Sequence, residues 1–101
     1  MAYKILSATE LKLLSLVTTE RNGREVAKLY RKETGKPVSY GTLYTTFRRL
    51  RERGWVRMRG DPGSDGRIRF FRATQAGLRA LQQGREHYAA LSAFGHTVEH
   101  S

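Results

Sequence analysis

A chain of 101 residues has room for one hydrophobic core, so it reads as a single small domain. Lys and Arg number 19 against 9 Asp and Glu, and the resulting formal charge of +10 attracts polyanions, nucleic acid ahead of anionic membrane. The absence of cysteine excludes disulfides, thiolate metal sites and thiol nucleophiles, and no apolar run approaches the roughly 20 residues that a membrane-spanning helix needs. The opening stretch Met1-Ala2-Tyr3-Lys4-Ile5-Leu6 is too short for the apolar region of a signal peptide, so a cytoplasmic location is expected.

Ser7 stands three residues ahead of Glu10, a spacing that satisfies the free amides of a helix start from both directions. It predicts a first helix to about Thr18, with Leu11, Leu13, Leu14, Leu16 and Val17 forming a stripe wide enough to be covered on more than one side. Asn22-Gly23 punctuates the chain, and Val26, Leu29 and Tyr30 mark one face of a second helix over 24–34, stopped by Gly35 and Pro37. Ser39 caps a third helix over 40–53, in which Tyr40, Leu43, Phe47 and Leu50 share a side and Gly54 ends the run.

Beyond Gly54 the period changes from helical to two. Alternation over 55–59 and 67–72 assigns Val56, Met58, Ile68 and Phe70 to one face of a hairpin and Arg57, Arg59, Arg67 and Arg69 to the other. Residues 60–66, rich in Gly, Asp and Pro, supply the turn. Trp55 and Phe71 break the alternation near the hairpin base, and Trp55 is assigned to the core. Thr74 caps a last helix with Leu78, Leu81, Tyr88, Leu91 and Phe94 as its apolar positions, weakened by Gly77 and Gly84 at about 1 kcal/mol each relative to Ala. A neutral helix that follows an already complete unit suggests a partner helix from a second copy, which makes Leu81, Tyr88, Leu91 and Phe94 the expected dimerisation residues. The expected division is 1–73, a nucleic-acid-binding unit, 74–95, a dimerisation helix, and 96–101, a flexible tail.

Charge is concentrated in the middle: residues 1–35 carry a net +3, 36–73 a net +7 and 74–101 none. With Leu43 at the centre of the buried face, Gly41, Thr45, Arg48 and Arg49 of the third helix point outward, and Thr42 and Tyr44 flank them. Compact hydrogen-bonding groups at the start of a helix suit base edges, and later arginines suit phosphates. Arg51 and Arg53 extend this cationic end, although two of the four arginines are accounted for by a solvated helix terminus. Edge protection would explain hairpin arginines as well, but four on one face without an acid favour nucleic acid. The order of three helices and a two-stranded hairpin predicts a mainly α winged helix-turn-helix with a C-terminal dimerisation helix.

Gly41-Thr42-Leu43-Tyr44-Thr45-Thr46-Phe47-Arg48-Arg49-Leu50, then Gly54-Trp55-Val56, then Gly66-Arg67-Ile68-Arg69-Phe70-Phe71-Arg72-Ala73-Thr74 and Ala76-Gly77 resemble the PadR-like winged-helix transcriptional regulators over about residues 5–82. That resemblance implies a homodimeric bacterial repressor associated with the nucleoid, its C-terminal helix packed on the partner's N-terminal region. It also implies Tyr40, Thr42, Tyr44 and Thr45 on or near the DNA groove, Arg48 and Arg49 near phosphate, and Arg67 and Arg69 on the wing; Ser39, Gly41, Arg57 and Arg59 complete the expected DNA-binding set. Thr45 stands where the family often has proline and Arg51 where it often has an acid, departures that favour a more basic, less selective surface.

Other chemistries are poorly supported by these residues. The acids are scattered, and His87, His96 and His100 lie in or beyond the last helix without a carboxylate cluster, so neither an enzyme nor a metal site is expected. No cofactor is expected, and an effector pocket is not indicated by Tyr88, Phe94 and Trp55, the available aromatic lining. The alternatives are a sequence-tolerant DNA-packaging protein, an RNA-binding winged helix, or a module that docks an acidic protein.

Overall fold

The computed structural model describes residues 6–64 and 66–99, with backbone only for 94–99. Four helices, α1 (Ala8–Ser15), α2 (Gly23–Thr34), α3 (Tyr40–Glu52) and α4 (Gln75–Glu99), surround a small antiparallel sheet of β1 (Arg21–Asn22), β2 (Val56–Gly60) and β3 (Arg69–Ala73) in the order β1-β3-β2. This is the winged-helix arrangement expected of the sequence, with a third strand added.

Each helix start is fixed by a side chain. Ser7 Oγ accepts the Glu10 amide at 3.1 Å while the Glu10 carboxylate accepts the Ser7 amide at 2.8 Å, the reciprocal cap read from the sequence. A second such pair, absent from the sequence reading, joins Asn22 and Glu25 at 2.8 and 2.9 Å and moves the start of α2 to Gly23. Ser39 caps α3, and Gly35 ends α2 in the left-handed conformation at φ 74°.

Helix α1 stops at Ser15, three residues short of expectation. The Val17 carbonyl accepts the Ala73 amide at 2.7 Å, so the backbone here is recruited by the sheet instead of continuing the helix. Leu16 and Val17 remain buried all the same. The strand β1 was missed because two residues show no periodicity; it exists because Arg21 and Asn22 pair with Phe71 and Phe70 of β3.

The core gathers Leu13, Leu14, Val17, Val26, Leu43, Phe47, Leu50 and Phe71, all essentially inaccessible. Each such side chain contributes about 1.5 to 3 kcal/mol by leaving water. Phe71 stacks on Phe47 at 4.3 Å between centroids, joining sheet to α3.

That stack corrects the expected faces of β3. Register pairs Val56 with Ala73 and Met58 with Phe71, so Phe71 and Ala73, not Ile68 and Phe70, lie on the core side. Ile68 is 43% exposed. With two consecutive phenylalanines the alternation is legible in either phase, and only packing against Phe47 selects one.

Thr74 Oγ1 accepts the Gly77 amide at 3.0 Å and donates to the Gly54 carbonyl at 2.6 Å, tying the start of α4 to the end of α3. The first half of α4 packs on its own domain: Ala80 and Leu81 are buried, and Tyr88 donates to the Leu6 carbonyl at 2.8 Å. Gly77 and Gly84 are contact points, not blemishes. A Cβ at Gly77 would lie 2.0 Å from the Trp55 carbonyl oxygen, and one at Gly84 would lie 2.6 Å from Leu11 Cδ1. Helix α4 continues to Glu99, beyond the expected boundary at residue 95, and of the expected tail only His100 and Ser101 remain, outside the described residues.

Candidate nucleic-acid interface

Helix α3 sets its face by placing Leu43, Thr46, Phe47 and Leu50 inward. Gly41, Thr42, Thr45, Arg48 and Arg49 are consequently exposed away from the core, as the helical spacing predicts, whereas Tyr40, expected on the side of Leu43, Phe47 and Leu50, is exposed as well because it lies in the first turn, beyond the edge of the core. Ser39 Oγ accepts the Thr42 amide at 3.1 Å and lies 3.0 Å from Thr42 Oγ1, so the cap and the first outward hydroxyl form one hydrogen-bonded unit.

Tyr44 is placed differently from its neighbours. Its ring lies 5.6 Å from Phe71, and its hydroxyl occupies the space that a Cβ on Gly23 would fill. Half-buried between α2, α3 and the sheet, it supports the face more than it extends from it. Tyr40, 52% exposed, lies 6.4 Å from it ring to ring. Together these rings floor a groove of about 380 Å³ that Asn22, Arg24, Arg67 and Ile68 also line. Arg67 thus joins the α3 side, held by a 3.0 Å bond from Nε to the Ser64 carbonyl, and Arg24 is a cation that sequence spacing alone did not single out.

The hairpin arginines do not share a face. Arg57 and Arg59 are exposed on the outer side of the sheet, away from α3, and their register partners there are Arg72 and Phe70. Arg69 pairs with Gly60, on the same side as Met58 and Phe71, near the hairpin tip. The expected row of Arg57, Arg59, Arg67 and Arg69 is therefore divided by the same one-residue phase difference that exchanged Phe70 for Phe71.

An acid also stands among them. Glu20, just before β1, accepts Arg59 Nε at 2.9 Å and Nη2 at 2.7 Å, and the guanidinium lies 4.4 Å from the Phe70 ring centroid. The Arg59 hydrogen bonds hold the Glu20 carboxyl below its ordinary value against the opposing effect of desolvation, with the Arg59 and Arg72 charges adding to them, and the same bonds raise Arg59. No spacing rule links positions 20 and 59; the pairing of β1 with β3 brings them together.

Arg53 is withdrawn from the cationic end of α3. It lies 5.1 Å from the Trp55 ring, and its Nη1 is buried without a hydrogen-bond partner. Trp55 itself packs against the core, as expected. Among the described residues no group of three His, Asp or Glu is placed to hold a metal, and no helix is long and apolar enough to cross a membrane.

Of the expected dimerisation residues, Leu81 is 2% exposed within its own chain and has little surface to offer a partner. Tyr88 is half-buried and Leu91 is 51% exposed, while the Phe94 side chain lies outside the described residues. Met1–Ile5 and Asp65 also lie outside them.

The architecture recurs in solved structures. A PadR family transcriptional regulator from Eggerthella lenta is 26% identical and superposes with a TM-score of 0.79, covering 92% of this chain and 83% of that one. A PadR-like transcriptional regulator from Bacillus cereus, 19% identical, covers 92% of each chain at a TM-score of 0.77. A mutant MarR from E. coli, complexed with operator DNA, is 23% identical with a TM-score of 0.64, over 80% of this chain and 54% of that one. No curated protein matches the sequence. The sequence family described as the transcriptional regulator PadR-like family matches residues 11–83. With that match spanning most of the chain and the winged-helix fold beneath it, the protein belongs to the PadR-like family of DNA-binding transcriptional regulators.

Proposed function

We propose that the protein is a homodimeric repressor that reads a near-palindromic operator in double-stranded DNA, with α3 of each subunit in successive major grooves about 34 Å apart. The observation that carries this reading is the exposed face of α3, which presents Thr42 and Thr45 in its first turns and Arg48 and Arg49 in its later ones. Small hydroxyls reach a groove floor where long cations would crowd it, and the arginines reach phosphates along the groove edge. Ser39, Tyr40 and Gly41 complete the leading edge, and Tyr44 braces it against Phe71. Arg67 and Arg69 near the hairpin tip, with Arg57 and Arg59 on the outer face, supply contacts to backbone or minor groove. The partner subunit is expected on the exposed part of α4 beyond Tyr88, centred on Leu91 and Phe94. The protein works in the cytoplasm on the nucleoid, requires no cofactor and acts by occupying its site.

Selection from a randomised duplex library at about 150 mM salt tests this, because non-specific attraction is partly screened there. A two-fold symmetric motif is expected. Thr42→Ala should change the ranking of sites, whereas Arg48→Ala should weaken all duplexes by a similar factor. Uniform binding would indicate a sequence-tolerant packaging protein, and no binding would point to RNA or protein partners.

A further inference from the structure

The outer face of the sheet carries a charge arrangement that its own chain only partly resolves. Arg57 and Arg72 are direct register partners across β2 and β3, and both are exposed. Like charges opposite one another on a strand pair are unfavourable. Among the described residues neither arginine has an ion-pair partner within 4.0 Å, because the Glu20 carboxylate is bound in bidentate fashion by Arg59. The Arg59 guanidinium lies over the Phe70 ring, 4.4 Å from its centroid, beside that pair, and a shallow groove of about 220 Å³ is lined by Arg57, Arg59, Arg72, Phe70 and Glu20.

We propose that Glu20 limits the strength with which this face, read above as a contact for the phosphodiester backbone, holds DNA, by competing with phosphate for Arg59. The inference rests on the DNA-binding reading above. The occupant follows from charge and geometry: a phosphate diester brings two non-bridging oxygens that share one negative charge, an acceptor pair like the one Glu20 presents to Arg59, and an anion between Arg57 and Arg72 would relieve their repulsion. Both members of the existing pair are well exposed, at 53% and 38%, so it is weak enough for phosphate to displace. Because backbone oxygens carry no sequence information, the face would set affinity and salt dependence without altering which site is chosen.

Glu20→Gln keeps the shape of the side chain and removes the competing charge. Binding to the selected operator and to random duplex should tighten by one common factor, at most about fivefold, the limit an exposed pair of this kind sets. The plot of log affinity against log salt should steepen by about 0.9 for each additional phosphate engaged. In an Arg59→Ala background the gain should vanish. Glu86→Gln, which removes an acid from α4, controls for net charge. An equal gain in that variant would overturn the proposal by showing that total charge alone acts, and weaker binding by Glu20→Gln would overturn it by showing that Glu20 orients Arg59 for DNA. Thermal melts of each variant separate binding losses from unfolding. Failure of the unaltered protein to bind any duplex would instead overturn the DNA-binding reading and this inference with it.

Discussion

Two glycines in α4 look alike in sequence and differ in what surrounds them. Replacing either with Ala in a helix interior gains about 1 kcal/mol of helix propensity. At Gly77 the new Cβ meets a backbone carbonyl, that of Trp55, at 2.0 Å, and the Thr74 hydrogen bonds to Gly54 and Gly77 hold the two segments together. Backbone cannot step aside as a side chain can, so Gly77→Ala should cost a net of about 2 kcal/mol and lower the thermal midpoint by about 10 °C. At Gly84 the neighbour is the far end of Leu11, whose Cδ1 can rotate away from 2.6 Å. Gly84→Ala should therefore stay within about 0.5 kcal/mol of the unaltered protein in the same melt. Equal losses at the two positions would mean that α4 is not seated on the Trp55 carbonyl. The caps belong to this scale too: Ser7 with Glu10 was legible because both residues lie within one turn, whereas Glu20 with Arg59 was not, because 39 positions separate them.

At the scale of the element, the informative case is β3. The sequence Arg69-Phe70-Phe71-Arg72 supports two alternations with nearly equal merit, and the strand adopts the one that stacks Phe71 on Phe47. Phe70 is left on the outer face beneath Arg59. Phe71→Ala should cost about 3 to 5 kcal/mol, as an inaccessible aromatic does, and should be close to unfolding the domain. Phe70→Ala should cost about 1 kcal/mol. Paired denaturant titrations would reverse this order if the other phase were correct. The same phase decides which arginines act together, so the one-residue difference reaches the surface as well as the core. The helices were easier to read: α2 and α3 each show one clean apolar stripe, a cap ahead of it and a glycine behind it, and their boundaries moved by a single residue. Helix α1 ended early because Val17 gives its carbonyl to Ala73, a partner 56 positions away.

For the whole molecule, α4 has two halves. Up to Tyr88 it completes the domain's own core; beyond that, Leu91 continues the same stripe at 51% exposure. Leu81→Asp should unfold the chain, since it introduces a charge into the core without a partner. Leu91→Asp should leave the melting of the subunit nearly unchanged yet convert the proposed dimer to a monomer in sedimentation, weakening DNA binding with it. A dimer that survives Leu91→Asp would move the interface elsewhere. The sequence by itself determined the winged-helix order, the caps at Ser7, Ser39 and Thr74, the outward face of α3 from Gly41 to Arg49 and the basic character of the middle third, because each of these depends on residues within a few turns of one another. Tertiary structure alone decided the third strand, the phase of β3, the seating of α4 through its glycines and the capture of Arg59 by Glu20. Those features depend on which distant groups meet, and local periodicity contains no record of a contact whose partners lie tens of residues apart.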